Sequence, residues 1–127
     1  MTFMKDFRNL LLWHNCRHLI LELFQVTSTF PERELNGLAN RIRKTCVAIT
    51  SNIAMAFKMP HELRRSDFLN LAISSAEKLE IDLYSAKEKK LLNSLSFEHF
   101  AQEINEIKKV LLTLNHRRAL TIQFEPN

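Results

Sequence analysis

Apolar residues recur along this chain at three- and four-residue steps, the spacing that lines one face of an α-helix. The pattern predicts four long helices over about residues 3–28, 32–57, 62–92 and 97–118. In the second, Leu38, Ile42, Cys46, Ile49, Ile53 and Ala56 share a face. The third carries Phe68, Leu71, Ala72, Ser75, Leu79, Leu83 and Ala86, and the fourth Phe97, Phe100, Ile104, Ile107, Leu111 and Leu114. Pro31 and Pro60 stand at or near first-turn positions, where a missing N–H costs nothing, and Ser96 is placed to cap the fourth helix. Short links between long helices favour antiparallel neighbours. The expected fold class is therefore all-α, an up-down-up-down four-helix bundle over residues 1–118.

The first segment departs from a single stripe. Leu10, Leu11, Leu12 and Trp13 are consecutive, as are Leu19, Ile20 and Leu21, with Leu23 and Phe24 close behind. Such runs cover most of a helix circumference, whereas one bundle core needs a stripe about 100° wide. Monomers rarely expose large apolar patches, so a second subunit is the economical cover, with Leu11, Leu12, Trp13, Ile20 and Phe24 as its expected contacts. A helix at the centre of an irregular bundle is the alternative. In the last nine residues, 119–127, Leu120, Ile122 and Phe124 alternate with Thr121, Gln123 and Glu125. That alternation reads as an extended tail, either frayed or docked on a neighbour.

Composition sharpens this picture at two points. One glycine and three prolines in 127 residues leave little material for turns, which fits a few long helices. The two cysteines, Cys16 and Cys46, have neither metal-site nor disulfide-framework spacing and sit in apolar helical sequence. Buried free thiols in a reducing cytoplasm are expected. No compact apolar h-region with a small-residue cleavage site opens the chain, and Leu10 to Phe24 is too short and too polar to span a bilayer.

Formal net charge is +4, and its distribution points to helix two. Residues 31–59 hold Arg33, Arg41, Arg43, Lys44 and Lys58 against only Glu32 and Glu34, while residues 60–127 balance. Lys58, Arg64 and Arg65 sit about the following loop, and Arg117 and Arg118 end the fourth helix. A ring of identical subunits would multiply such a surface, and neutralising phosphates with Lys and Arg gives salt-dependent, sequence-tolerant binding. No aromatic interleaves these cations, so base stacking is not indicated.

Catalytic signatures are missing. Gly37 alone cannot form a phosphate-cradling glycine loop, and no nucleophile elbow occurs. Glu77, Glu80 and Asp82 intermix with Lys78 and Lys87 as surface ion pairs do. His14 and His18 lie four apart, as helical metal-binding histidines do, but the intervening Asn-Cys-Arg lacks the protease glutamate and no third ligand is near. No cofactor, metal or catalytic residue is expected, and a metalloenzyme using His14 and His18 is the outlying reading.

Several short motifs carry a family resemblance in their order. Phe7-x-x-Leu10-x-x-Trp13 is followed by Phe30-Pro31-x-x-Glu34, Gly37-Leu38 and Arg41-Ile42-Arg43-Lys44. Then come Ser51-Asn52-Ile53-Ala54, Phe68-Leu69-x-x-Ala72 and Ser75-x-x-x-Leu79-Glu80. From about Phe7 to Leu114 the chain resembles the bacterial 23S rRNA intervening-sequence, or four-helix-bundle, proteins. The resemblance implies a four-helix bundle, a homopentameric ring and no catalytic activity. A related branch, the accessory variability determinants of diversity-generating retroelements, implies a basic pentamer that binds nucleic acid and a reverse transcriptase. Arg41, Arg43 and Lys44 match family positions and inherit a suggested contact role. This chain departs from the family pattern with Thr50 for proline, Met55-Ala56 for Glu-Gly and Lys78 for glutamate. Those changes straighten helix two and make the surface more basic.

The expected function is a non-enzymatic, cytoplasmic, oligomeric RNA- or DNA-binding accessory protein, assisting a reverse transcriptase if the retroelement resemblance holds. Its expected contacts are Arg41, Arg43, Lys44, Lys58, Arg64, Arg65, Arg117 and Arg118. The alternative is a protein–protein scaffold encoded by an rRNA intervening sequence, whose charge serves solubility.

Overall fold

A computed structural model describes the backbone of residues 7–124 and the side chains of residues 9–116. Its elements are α1 (Phe7–Thr27), the single turn α2 (Glu32–Leu35), α3 (Leu38–Lys58), α4 (Glu62–Glu88) and α5 (Ser94–Phe124). No strand occurs among the described residues. No described helix is long and apolar enough to cross a membrane.

Each link has a chemical cause. The end of α1 is closed by backbone and hydroxyl donors together. The Ser28 and Thr29 N–H groups donate to Phe24 O (3.2 Å) and Val26 O (3.1 Å). Hydroxyls add second bonds: Thr27 Oγ1 to Leu23 O (2.7 Å), Ser28 Oγ to Phe24 O (2.7 Å) and Thr29 Oγ1 to Val26 O (2.6 Å). Pro31 then opens α2. A continuous second helix was expected over 32–57, but Asn36 and Gly37 divide it, Gly37 being the weakest helix former in the segment. Met59, extended at ψ 126° because it precedes Pro60, stops α3.

Helix α4 ends before Leu91 and Leu92, four residues short of expectation. Lys90 adopts a left-handed φ of 62°, and its N–H donates to Lys87 O (2.9 Å) while Leu91 N–H donates to Ala86 O (2.9 Å). This pair of bonds is a Schellman C-cap. Helix α5 begins three residues early because Asn93, not Ser96, is its cap: Asn93 Oδ1 accepts from the Ser96 N–H at 2.8 Å. The expected extended tail is corrected too, since α5 continues through Phe124. Six alternating residues do not make a strand without a sheet to join, and no proline interrupts the helix before Pro126.

Helix neighbours follow the chain around a square: α1 packs on α3, α3 on α4, α4 on α5, and α5 on α1. All four seams are antiparallel. Arg43 early in α3 meets Thr27 at the end of α1, and Arg41 meets Asp82 late in α4. Ser66 early in α4 meets Asn115 late in α5, and Glu22 late in α1 meets His99 early in α5.

Leu12, Cys16, Leu19 and Leu23 form the core stripe of α1. The expected α3 stripe is buried in full, and Phe100, Ile104, Ile107 and Leu111 of α5 are buried in the same core. In α4 the register shifts: Leu71 is exposed, while Leu69 and Ala76 join Ala72, Leu79, Leu83 and Ala86 inside. Steps of three and four run unbroken from Leu69 to Ala86, a heptad-like seam that the expected stripe missed by starting at Phe68. Alanines at 39, 56, 72, 76 and 86 keep the α3–α4 seam slim, since interaxial distance follows side-chain size.

Candidate functional site

The eight expected contact cations do not form one surface. Arg41, Arg43 and Lys44 lie at the end of the bundle where α3 begins and α4 ends. Lys58, Arg64 and Arg65 lie at the opposite end, around the α3–α4 link. At 1.5 Å per residue, Arg41 and Lys58 are about 25 Å apart along α3. Arg117 and Arg118 are helical in α5, whose later part packs beside early α4, and their side chains lie outside the described residues.

Two of the arginines are structural. Arg43 Nε donates to Thr27 Oγ1 (2.8 Å), Arg43 Nη2 to Ser28 Oγ (3.2 Å) and Phe24 O (3.3 Å), and the guanidinium stacks over the Phe24 ring. Arg65 bonds Met59 O through Nε, Pro60 O at 3.2 Å and Glu62 Oε1 at 2.7 Å, fastening the α3–α4 link. Arg41, well exposed, pairs with Asp82 at 3.5 Å, a contact of the weak surface kind. Lys44, Lys58 and Arg64 are exposed. Lys89, which was not expected to matter, pairs with Glu34 at 3.2 Å.

The expected oligomer contacts also divide. Leu12 is 2% exposed and faces the protomer's own core, so it cannot meet a partner. Trp13 and Ile20 are half-buried against that core. Leu11 and Phe24 are exposed, together with Leu10 and, at 66%, Leu21. The surplus apolar surface of the first helix is therefore real, displaced by one position around the helix. Phe24 and Val47 line a shallow groove between α1 and α3 with Asn40, Arg43 and Lys44.

A polar cluster that the sequence reading did not assemble lies between α1 and α5. His18 Nδ1 is 3.0 Å from Glu22 Oε1 and 3.5 Å from Glu103 Oε1. His99 Nε2 is 2.9 Å from Glu22 Oε2 and 3.3 Å from Glu103 Oε1. The Glu22 hydrogen bond raises the His99 pKa, with burial opposing it and the negative charges of Glu103 and Glu22 assisting. Burial, followed by contact with the Glu22 carboxyl, raises that of Glu103. His14 lines an outer groove of α1 with Leu10, Trp13, Arg17, Leu21 and His18, the groove meeting the cluster only at His18. The overlooked signal was a repeated spacing, His18-x-x-x-Glu22 and His99-x-x-x-Glu103, which puts each pair on one helix face.

The fold is a closed, antiparallel bundle of four long helices with cationic ends and a histidine–glutamate seam. The sequence model of the 23S rRNA-intervening sequence proteins matches residues 8–113, and the chain belongs to that family. Its fold is similar to the 1.70 Å crystal structure of a protein of unknown function from the S23 ribosomal protein family of Bacteroides thetaiotaomicron VPI-5482. The two share a TM-score of 0.78 at 15% identity, over 84% of this chain and 96% of that one. No curated protein matches the chain.

Proposed function

We propose that this chain is a non-enzymatic, homo-oligomeric accessory protein that binds RNA or DNA by charge and shape. One observation carries the reading: along the α1–α3 face, exposed Phe24 and Val47 adjoin Lys44, with exposed Arg41 one turn earlier on α3. Covering the apolar part with identical copies removes it from water and gathers a Lys44 and an Arg41 from each copy. The family resemblance supplies the number five and the ring. Its retroelement branch adds a reverse transcriptase as a protein partner. Phosphate contacts of this kind set affinity without reading bases.

Light scattering gives the subunit number, and a salt-titrated filter assay with structured RNA tests the binding. Affinity falls linearly in log–log form with salt. The double variant Arg41→Glu/Lys44→Glu binds at least about tenfold more weakly at unchanged oligomer size. Equal affinity in that variant overturns the assignment of these residues. The scaffold reading draws on the Arg41–Asp82 and Lys89–Glu34 pairs, which neutralise part of the same end within the protomer. Failure to retain RNA at any salt concentration decides for it.

A further inference from the structure

We infer that the α1–α5 seam is a binding site for one divalent transition-metal ion of the zinc class, held by His18, Glu22, His99 and Glu103. Each helix contributes a histidine and, four residues later, a glutamate, and the helices run in opposite directions. His18 therefore stands across from Glu103, and His99 across from Glu22. Bundles build metal sites in this manner, from short-spaced histidines and carboxylates on facing helices.

Three of the donors already stand close enough to share one ion. Four donors about 2.05 Å from a tetrahedral zinc ion lie about 3.3 Å from one another. The four imidazole–carboxylate contacts here span 2.9–3.5 Å, His18 and His99 meeting different oxygens of Glu22 and the same oxygen of Glu103. One donor atom from each of His18, Glu22 and Glu103 falls within 4.8 Å of the others. His99 stands outside that triad and joins it through Glu22 Oε2 and Glu103 Oε1, so it completes the site by a small inward shift of an exposed ring.

Two oxygens of the cluster lack what a carboxylate in a half-buried seam requires. Glu22 Oε1 and Glu103 Oε2 are shielded from solvent and accept no hydrogen bond from the described residues, although Glu22 Oε1 is only 3.0 Å from His18 Nδ1. Shielding a carboxylate oxygen without a donor is costly, and two carboxylates side by side repel. Imidazoles balance that charge only when protonated, whereas a dication balances it directly. Two nitrogen and two oxygen donors suit zinc, cobalt(II) or nickel better than magnesium or calcium, which prefer oxygen alone. A cleft of about 320 Å³, lined by Asn15, His18, His99, Gln102, Glu103 and Ile107, gives an ion access to three of the four donors. The bound ion clasps α1 to α5 and closes the bundle. This site is independent of the nucleic-acid reading, and its failure leaves that reading intact.

Calorimetric titration of the chelator-treated full chain with zinc tests the inference. One ion binds per chain, added zinc raises Tm by mass action where equal magnesium does not, and cobalt(II) gives the visible bands of a tetrahedral complex. His18→Ala and His99→Ala each weaken binding at least about tenfold, while His14→Ala leaves it unchanged. Both imidazoles are half-exposed, and circular dichroism verifies that the variants fold. Fewer than about one ion per ten chains in tenfold zinc excess, with no cobalt bands, overturns the site and leaves a plain imidazolium–carboxylate staple. Undiminished binding in both histidine variants overturns it equally.

Discussion

Arg43 Nε donates a 2.8 Å hydrogen bond to Thr27 Oγ1, a hydroxyl with no solvent exposure that itself donates to Leu23 O. The bond ties the start of α3 to the end of α1 across a sequence gap of 16 residues. It also removes Arg43 from the residues free to meet a phosphate. Arg43→Ala leaves Thr27 without its donor and is expected to lower stability by about 1–2 kcal/mol in urea denaturation. Lys44→Ala, on an exposed side chain, is expected to change it by less than about 0.5 kcal/mol. A charge-reversal test of nucleic-acid binding that includes Arg43 therefore confuses unfolding with lost contact.

Lys90 occupies the left-handed C′ position of α4, where a Cβ is unfavourable and glycine is preferred. Lys90→Gly is expected to stabilise the protein by about 0.5–1 kcal/mol, read as a higher denaturation midpoint at unchanged slope. A loss of stability would mean that the glycine's extra freedom in the unfolded chain outweighs the relief of strain.

Burial pushes the Cys16 thiol up to about 12 and the Cys46 thiol likewise to about 12. At pH 8 both are almost wholly protonated, so a disulfide reagent should react slowly with the native protein and quickly once the chain is unfolded. The folded values lie above the ordinary thiol value of 9.0, so the native state favours the protonated form. Stability from this source is complete below pH 9 and declines as pH rises toward 12. Thiol titration with and without denaturant checks the first expectation, and alkaline melting curves check the second.

Ile42 and Leu21 separate the core from the outer apolar face. Ile42→Ala, at a fully buried position, is expected to cost about 2–5 kcal/mol. Leu21→Glu, at a side chain 66% exposed, should leave the helical content intact. If the α1 face joins subunits, Leu21→Glu combined with Leu10→Glu reduces the mass measured by light scattering to that of one chain. Retention of the full assembly by this variant would place the interface elsewhere.

Much of the bundle is written in local pattern. Helix existence, the α3 and α5 core stripes, and the stops near Pro31 and Pro60 follow from periodicity and backbone chemistry within a few residues. Boundaries failed where a side chain or a single dihedral decided them. Asn93 rather than Ser96 caps α5, Lys90 turns left-handed, and Gly37 divides the second segment. The α4 register slipped because alanines and serines dilute its apolar signal.

The sequence by itself determined four amphipathic helices, an opening helix too apolar for one core stripe, a basic surplus on α3 and membership of a family. Only the tertiary structure decided which side chains meet. It separated the cations between two ends of the bundle, engaged Arg43 and Arg65 in holding links together, and brought His99 to Glu22 across 77 residues. Helical periodicity reports which face of each helix seeks burial. Which faces become neighbours is set by packing all four helices at once, and no local spacing encodes that choice.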